Sequence, residues 1–378
     1  MKILQVVPFF SPVHGGSAIA PYQLSKELTK RGHEVAVFTS DYKLSREWVE
    51  SSGQVKVYSF KTWSSWSKFY LTPTLIKAAK EGLEHFDLIH MHNYRTFQNI
   101  VIAHYAKKHG VPYVLQAHGS IPRIMAKQRL KWIYDVLFGY RLLRSASKVI
   151  ALSRVEAEQY KDMSVPEEKI VIIPNGIDLS EYADLPPKGC FREKFGIKEE
   201  EKIVLYLGRI HRIKGLDILV EAFAKVIEDL DDVRLVVVGP DDGYLGELKA
   251  LINALRIEDN VLILGPLYGD DKLEAYVDAD VYVLPSRYET FPMGLLEAVA
   301  CGTPIILTRN CGIAEYFENK AGLLVDPDSD KLYEALFKML TDHDTRNSFR
   351  KKGKTAISEF EISNVVSKLE ELYANLAK

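Results

Sequence analysis

The feature that most constrains this chain is an alternation of short apolar runs with longer amphipathic segments, which continues from one end to the other. Amphipathic segments of helical length, such as residues 21–31 and 97–109, separate the apolar runs. Short runs rich in Val, Ile and Leu suit parallel strands covered by helices on both faces, so the alternation predicts an α/β fold with a doubly wound sheet. In the first half, the predicted strands are residues 2–7, 34–39, 55–60, 87–91, 113–117, 148–152 and 169–173.

The alternation breaks at Pro174-Asn175-Gly176, and Pro186-Pro187 follows shortly afterwards. Proline and glycine clusters mark turns and linkers, so we place a domain boundary here, after residue 178. Two doubly wound domains that face a cleft would bind ligands outside the carboxyl ends of their strands. In the second half, the predicted strands are residues 202–207, 233–238, 261–264, 280–284, 304–307 and 322–325.

Composition narrows the class of protein. The 378 residues carry a formal net charge of −2, so the overall charge does not indicate a nucleic-acid partner. Cys190, Cys301 and Cys311 have no metal-ligand spacing and are interpreted as small buried side chains in a reducing compartment. The apolar N-terminus ends too early for a signal peptide, and no apolar run approaches the ~20 residues that span a bilayer. We therefore expect a cytoplasmic protein.

The most informative segment is 285–298, which follows a predicted strand and continues into a helix. Pro292 suits the first turn of a helix, so Glu289 is expected in the preceding loop and Glu297 inside the helix. Two carboxylates that flank free N–H groups suit a nucleoside-diphosphate sugar, which has hydroxyls at both ends and phosphates between them. A capping carboxylate with an exposed helical glutamate is the alternative. The free amides would be those of Met293, Gly294 and Leu295.

Three further segments lie where a doubly wound sheet presents its loops. Gly15-Gly16, after the first strand, suits the close approach of an anion or sugar, or else a plain tight turn. Arg209 and Lys214 lie between a strand and a helix, which suits a diphosphate site or else a solvated basic loop. His118 ends a predicted strand and is interpreted as either a substrate contact or a structural histidine.

In this order, these segments resemble the GT-B superfamily of glycosyltransferases, and specifically its large retaining family four, over nearly the whole chain. The most specific part runs from Glu289 to Glu297 and on through residues 298–304, which is similar to the family's E-x7-E donor motif and the run that follows it. Residues 208–215 and 174–178 also resemble family motifs.

The resemblance implies a fold and an activity. The fold would be GT-B, with a Rossmann-like acceptor-binding domain at 1–178, a Rossmann-like donor-binding domain at 179–360, and a last helix at 361–378 that crosses back to the first domain. The activity would be transfer of a sugar, with retention at the anomeric carbon, from a UDP, GDP or ADP sugar to a glycan, small-molecule or lipid-linked acceptor. Such enzymes serve polysaccharide or glycolipid biosynthesis, and the resemblance implies no metal and no other cofactor.

By the same resemblance, the implied catalytic residues are Glu289, His118, Arg209 and Lys214. Glu289 and His118 would contact the transferred sugar, Glu297 would hold the ribose hydroxyls, and the two cations would bind the leaving diphosphate. The implied donor-binding residues also include Gly15, Gly16, Leu267, Phe291, Met293, Gly294 and Leu295.

The chain departs from the family at two places. Pro292 stands where many members have glycine, which removes one backbone donor beside the sugar. Ser17-Ala18 follows the glycine pair where many relatives have a small residue and then glutamate. Both departures fall near the sugar and acceptor ends, so they leave the identity of the sugar open.

Two other patterns are similar to metal sites. Asp278-Ala279-Asp280 is similar to a metal-binding D-x-D motif, but it joins a helix to a strand, and we expect no metal there. His90 and His92 share one face of a strand. Because no third ligand stands at a useful spacing, a structural or acceptor-side role is favoured for both.

The stretch 122–144 combines six basic residues and one acid with aromatic and aliphatic side chains. Such a composition suits contact with an anionic membrane, here the inner face of the cell membrane, or else a core helix whose basic side chains extend outward. A second aromatic cluster contains Trp63, Trp66, Phe69 and Tyr70, and exposure of both would favour a lipid-linked acceptor. The six basic residues are Arg123, Lys127, Arg129, Lys131, Arg141 and Arg144.

Other functions share parts of this pattern. A GT-B-like nucleotide-sugar epimerase would need no acceptor, and a phosphorylase would use free phosphate. A non-catalytic protein that binds sugar nucleotides would not need Glu289, Arg209, Lys214 and His118 together. A nicotinamide dehydrogenase is disfavoured because no G-x-G-x-x-G follows the first strand.

Overall fold

Residues 1–11, 15–65, 69–124 and 127–377 are described by a computed structural model. The chain divides into two units, one made of Met1–Ile177 with Phe360–Lys378 and the other of Asp178–Glu359. Each unit contains one sheet whose strands are all parallel in the described residues. The predicted α/β fold with two doubly wound sheets is confirmed.

The first unit has a sheet of strand order β3-β2-β1-β4-β5-β6-β7. Neighbouring residues of its first strand face opposite cores, because side chains alternate along a strand: Ile3 packs in one cluster and Leu4 in the other. The strands are β1 Lys2–Val6, β2 Glu34–Ser40, β3 Lys56–Phe60, β4 Leu88–His92, β5 Tyr113–Gln116, β6 Lys148–Ala151 and β7 Ile170–Ile172. The helices are α1 Gly16–Lys30, α2 Arg46–Ser51, α3 Leu75–Gly82, α4 Phe97–His109, α5 Gln128–Tyr134, α6 Tyr140–Ser145, α7 Arg154–Asp162 and α16 Ile362–Ala374, with a π-helical turn at Asp135–Gly139 between α5 and α6.

The second unit has a sheet of strand order β10-β9-β8-β11-β12-β13. Its strands are β8 Lys202–Leu207, β9 Val233–Val238, β10 Val261–Leu264, β11 Val281–Leu284, β12 Ile305–Thr308 and β13 Gly322–Val325. Its helices are α8 Cys190–Phe195, α9 Leu216–Asp229, α10 Leu245–Leu255, α11 Gly269–Asp278, α12 Met293–Ala300, α13 Ala314–Phe317, α14 Ser329–Thr341 and α15 His343–Ala356.

The last helix, α16, belongs to the first unit. Its apolar face, which includes Val366 and Leu369, packs in the same cluster as Ile3 of β1. Arg31, at the end of α1, donates hydrogen bonds of 2.6 Å to Glu370 Oε2 and to the carbonyl oxygen of Ser363. Apolar packing and hydrogen bonds therefore both attach the end of the chain to its beginning.

Helix α1 begins at Gly16, five residues before the predicted start at residue 21. The prediction placed Pro21 at the beginning of the helix, where proline costs no hydrogen bond, but Pro21 lies inside it. Ala18, Pro21 and Leu24 are all buried. Packing of this buried face against the sheet outweighs the backbone hydrogen bond that Pro21 cannot donate.

Candidate active site

The order of the strands creates a switch point in each sheet. This is the place where the connections that leave two neighbouring strands run in opposite directions. In the second unit the switch point lies between β8 and β11, and in the first unit between β1 and β4. The connections that follow the two strands diverge, which leaves a crevice at the carboxyl end of the sheet. In the second unit, predicted site residues follow both strands of the switch point. In the first unit, Gly15 and Gly16 follow β1, and His118 follows β5, the neighbour of β4.

A close backbone contact brings the loops after β8 and β11 together. Gly215 has a φ of 67°, and a Cβ added there would lie 2.0 Å from the carbonyl oxygen of Pro285. On the same two loops, the amide of Arg287 donates to the carbonyl oxygen of Ile213 at 2.8 Å. Glycine is required at 215 because any side chain would force these loops apart.

Lys214 and Glu289 meet at this junction. The ammonium group of Lys214 donates a hydrogen bond to Glu289 Oε2, and the two side chains are only 13% and 16% exposed. The backbone of Glu289 is fixed in turn by the loop after β12: the amide of Gly312 donates to the carbonyl oxygen of Glu289 at 2.8 Å. The two charges are therefore held where a ligand in the crevice would meet both.

Arg209 lies on the same edge and is more open to solvent. Its side chain is 52% exposed and donates to Asp242, in the loop after the neighbouring strand β9. Tyr206 fixes the backbone at this point by donating to the carbonyl oxygen of Arg209 at 2.7 Å. An incoming anion would compete with Asp242 for the guanidinium group. Leu267 is half-buried in the loop after β10, two strands from β8.

Helix α12 begins one residue later than its proline. Pro292 is the N-cap residue, and its side chain makes no capping hydrogen bond. The amides of Met293 and Gly294 have no hydrogen-bond partner among the described residues, whereas the amide of Leu295 donates to the carbonyl oxygen of Pro292 at 3.2 Å. Two of the three predicted free amides are thus open to a ligand, and the third is not. Phe291 is buried just before this helix.

Glu297 is buried inside α12 and is held by two residues that the sequence analysis missed. The ammonium group of Lys272 donates to Glu297 Oε1 at 2.9 Å, and the hydroxyl group of Tyr276 donates to Oε2 at 3.0 Å. Burial and then the charge of Glu297 raise the pKa of Tyr276, which therefore stays a hydrogen-bond donor. The two partners are four residues apart on α11, a spacing that places them on one helix face but does not reveal what that face contacts.

In the first unit, the predicted residues again follow strands at the centre of the sheet. Gly15 is the N-cap residue of α1 and Gly16 is its first residue, and no side chain among the described residues caps this helix. His118 follows β5, with a φ of 51°. Its Nε2 lies 2.9 Å from Nδ1 of His92 on β4, and Nε2 of His92 lies 2.6 Å from Oε1 of Gln5 on β1.

The hydrogen bonds of this row determine which nitrogen of His118 carries its hydrogen. Nε2–H of His92 donates to Gln5 Oε1, which leaves Nδ1 of a neutral His92 as an acceptor for the Nε2–H of His118. Nδ1 of His118 is then the atom that can accept a proton. Burial lowers the pKa of His118 to about 4, and burial with the neighbouring histidines lowers the pKa of His92.

His90 extends the cluster toward the end of the chain. It stacks on His92 at 4.1 Å between ring centroids, and its Nδ1 lies 2.6 Å from the hydroxyl group of Tyr373 on α16. Burial and then His118 lower the pKa of His90 to about 3. Of the two roles predicted for His90 and His92, structural or acceptor-side, these contacts favour the structural one for His90, and His92 supports His118.

Glu156 is a further residue that the sequence analysis missed. Its carboxyl oxygens accept hydrogen bonds from the amides of Gly119 at 2.6 Å and Leu152 at 2.7 Å, which fixes the turn that carries His118. Burial raises the pKa of Glu156 to about 7, against the effect of these two hydrogen bonds. The spacing of Ser153 and Glu156 is that of a capping box, so the start of α7 was predictable although the contact with Gly119 was not.

The two aspartates of the D-x-D pattern have structural partners. Asp278 accepts from the amides of Gly189 at 2.6 Å and Arg192 at 3.0 Å, at the start of α8. Asp280 accepts from the amide of Ile203 at 2.9 Å. In the ranges that the structure describes, no three His, Cys, Asp or Glu side chains are grouped so that they could hold a metal ion.

Comparison with known proteins gives a consistent result. The family described as "Glycosyltransferase Family 4" matches residues 14–181, and the family described as "Glycosyl transferases group 1" matches residues 188–356. An uncharacterised glycosyltransferase of Methanocaldococcus jannaschii is 29% identical over 390 residues, covering 99% of this chain and 98% of the relative. The UDP-Gal:alpha-D-GlcNAc-diphosphoundecaprenol alpha-1,3-galactosyltransferase of Escherichia coli is 29% identical over 305 residues, covering 78% of this chain and 76% of the relative.

Solved structures share the fold. The Anabaena protein HepE, crystallised with UDP and glucose, superposes with a TM-score of 0.84 at 21% identity, covering 100% of both chains. Two parallel sheets with these strand orders, together with this likeness, define the GT-B fold. The two family matches cover nearly all of the chain, which belongs to glycosyltransferase family four, the group 1 glycosyl transferases.

Proposed function

We propose that this enzyme transfers a sugar from a nucleoside-diphosphate donor with retention at the anomeric carbon, and that the second unit binds the donor. The observation that carries the proposal is the grouping of Lys214, Glu289 and the open amides of Met293 and Gly294 at the switch point between β8 and β11. A helix N-terminus and a cation attract the phosphates, and a carboxylate beside them binds sugar hydroxyls.

The proposed roles follow the order of the donor. Glu297, held by Lys272 and Tyr276, binds the ribose hydroxyls, and the loop that contains Leu267 meets the base. Lys214 and Arg209 bind the diphosphate, and Glu289 orients the transferred sugar. In the first unit, His118 and the amide of Gly16 are assigned to the sugar and to the phosphate region.

In the proposed reaction, the bond between C1 of the sugar and the diphosphate oxygen breaks, and the electron pair leaves with the diphosphate. Lys214 and Arg209 stabilise the charge that develops there, in place of a metal ion. The acceptor hydroxyl attacks C1 on the face that the diphosphate leaves, which gives retention, and its proton passes to the departing phosphate oxygen.

The nature of the substrates is proposed from the relatives. The UDP in the HepE crystals supports a UDP-type nucleotide, with GDP and ADP as the alternatives. The acceptor named for the E. coli relative supports a lipid-linked acceptor, with a glycan or small molecule as the alternatives. Because the three cysteines are free, as in proteins of a reducing compartment, we propose the cytoplasm as the site of action.

The test is a donor screen followed by product analysis. Thermal shift with UDP, GDP, ADP and their sugars should reveal one preferred nucleotide, because a ligand that binds the native state raises its stability. With that donor labelled at C1, NMR of the product should show the anomeric configuration of the donor, with the same rate in EDTA. An inverted product, or complete loss of activity in EDTA that Mg²⁺ or Mn²⁺ restores, would contradict the proposal.

A further inference from the structure

The helical segment from Gln128 to Ser145 exposes an unusual amount of apolar surface. It consists of α5, the π-helical turn and α6. Large apolar side chains on its outer face are 42% to 62% exposed. A contiguous exposed apolar surface on a folded protein marks a site of interaction. The exposed side chains are Leu130, Trp132, Ile133, Val136, Leu137 and Phe138.

The inner face of the same segment is anchored to the core. The hydroxyl group of Tyr134 donates to the carbonyl oxygen of Thr96 at 3.1 Å, and Leu142 and Leu143 are buried in the core cluster. A Cβ added to Gly139 would lie 2.1 Å from the hydroxyl oxygen of Tyr94, so the backbone is pressed against this tyrosine. These contacts hold the segment against the core, and its apolar face points outward.

The exposed charge of the segment is entirely positive. Asp135, its one acidic residue, is fully buried and accepts from Arg95 Nη2 at 2.7 Å and from Arg123 Nε at 2.8 Å. Both of these bonds go to Oδ2, and Arg95 Nε donates to Oδ1 at 2.9 Å, so both oxygens of the carboxylate are paired inside the protein. The exposed cations are Arg129, Arg141 and Arg144, which flank the apolar side chains on both sides along the chain.

The second aromatic cluster touches this segment and is only partly exposed. The ring of Phe69 lies 6.4 Å from that of Tyr134, edge to face. Trp63 is 68% exposed, Tyr70 is buried, and Trp66 lies outside the described residues. The interpretation of 122–144 as a core helix therefore holds for its inner face alone, and residues 125–126 of that stretch also lie outside the described residues.

We propose that the outer face of residues 128–145 binds the surface of a membrane that contains anionic lipid. The apolar side chains enter the boundary between head groups and acyl chains, and the arginines contact lipid phosphates. Tryptophan, phenylalanine and leucine beside arginines are the side chains that such interfacial helices use. Cations close to an anionic leaflet are attracted to it and acids are repelled, so the burial of the single acid fits this partner. The proposal does not depend on the proposed function, because binding to lipid requires no donor or acceptor.

The test is co-sedimentation of the full chain with vesicles of phosphatidylcholine alone or with about one third phosphatidylglycerol. The wild-type protein should bind the anionic vesicles and be released by salt, which screens exposed charges. Binding should fall at least tenfold in the charge variant R129E/R141E/R144E and in the apolar variant W132S/L137S. The matched controls are K249E/K320E/K338E and L255S/F337S, which change exposed side chains of the second unit.

Three results would overturn the proposal. The wild-type protein fails to bind anionic vesicles, or the charge and apolar variants bind as well as their controls. Alternatively, size-exclusion chromatography shows a dimer that W132S/L137S converts to a monomer, in which case a second copy of the chain covers this face. Thermal unfolding of each variant verifies its fold, because all the changed side chains are exposed.

Discussion

The charged residues of the candidate site differ in their distance from the bond that breaks, and this separates their expected effects. The negative charge on the diphosphate grows as the sugar leaves, so Lys214 and Arg209 should stabilise the transition state more than the bound donor. K214A or R209A should lower kcat by on the order of 10²–10³, as when one preorganised electrostatic donor is lost. Steady-state kinetics with varied donor measures this.

Glu297 should show the opposite behaviour because ribose is remote from the reacting carbon. Loss of a hydrogen bond to a charged group costs about 1.5–3 kcal/mol, so E297A should weaken nucleotide binding on the order of 10- to 150-fold, with a smaller change in kcat. Calorimetric titration with the nucleoside diphosphate measures the binding.

The control for K214A is R212A, since Arg212 lies in the same turn as Lys214 but is 74% exposed. If K214A and R209A raise KM alone, this loop binds without catalysing.

At the scale of elements, the junction between the loops after β8 and β11 depends on Gly215. Alanine there would meet the carbonyl oxygen of Pro285 and would adopt a left-handed conformation that costs about 1–2 kcal/mol before any clash. We expect G215A to lower the free energy of unfolding by at least about 2 kcal/mol and to weaken donor binding, because the clash separates Lys214 from Glu289. Urea denaturation and nucleotide titration check both effects.

The control for this change is G246A. Gly246 lies in α10, where an added Cβ meets open space, so alanine should stabilise the helix by about 0.4–1 kcal/mol. A G215A protein as stable as the wild type would show that the loops separate without cost.

The elements were largely predictable, and the contacts between them were not. Strands β8, β9, β10 and β13 have the predicted bounds, because a buried parallel strand is a local run of apolar residues. The start of α1 was predicted too late because the local rule for proline ignores how Pro21 packs. Lys272 and Glu156 were missed because their partners lie far away in the chain. No local pattern encodes the order of strands, so the switch points had to be observed.

At the scale of the whole molecule, the histidine cluster should make folding sensitive to acid. The folded-state pKa of His90 is about 3 and that of His118 about 4, and that of His92 is also lowered from the ordinary 6.5. The unfolded chain then binds more protons below pH 6.5, so stability is lost as the pH falls. Glu156 acts in the opposite sense between its ordinary 4.5 and about 7, because its folded-state pKa is raised.

Three histidines outweigh one glutamate, and each proton contributes about 1.4 kcal/mol per pH unit. We therefore expect the free energy of unfolding to fall by about 2–3 kcal/mol from pH 6 to pH 5. Urea denaturation at both pH values measures this. In H90Q, the slope of the unfolding free energy against pH should decrease by the equivalent of about one proton. A slope equal to that of the wild type would mean that His90 takes up its proton without unfolding.

The division of the first unit into two stretches has a consequence for how the protein is made. A ribosome completes all seven strands of the first sheet and then the whole second unit before it makes residues 360–378. Until then, the apolar cluster that contains Ile3 and Val37 lacks the Val366 and Leu369 side chains that close it. The second unit is one continuous stretch and can finish first, whereas the half of the protein made earliest matures last. A nascent chain therefore exposes this apolar surface to chaperones and proteases for nearly the entire time of its synthesis. A chain truncated before residue 360 keeps it exposed.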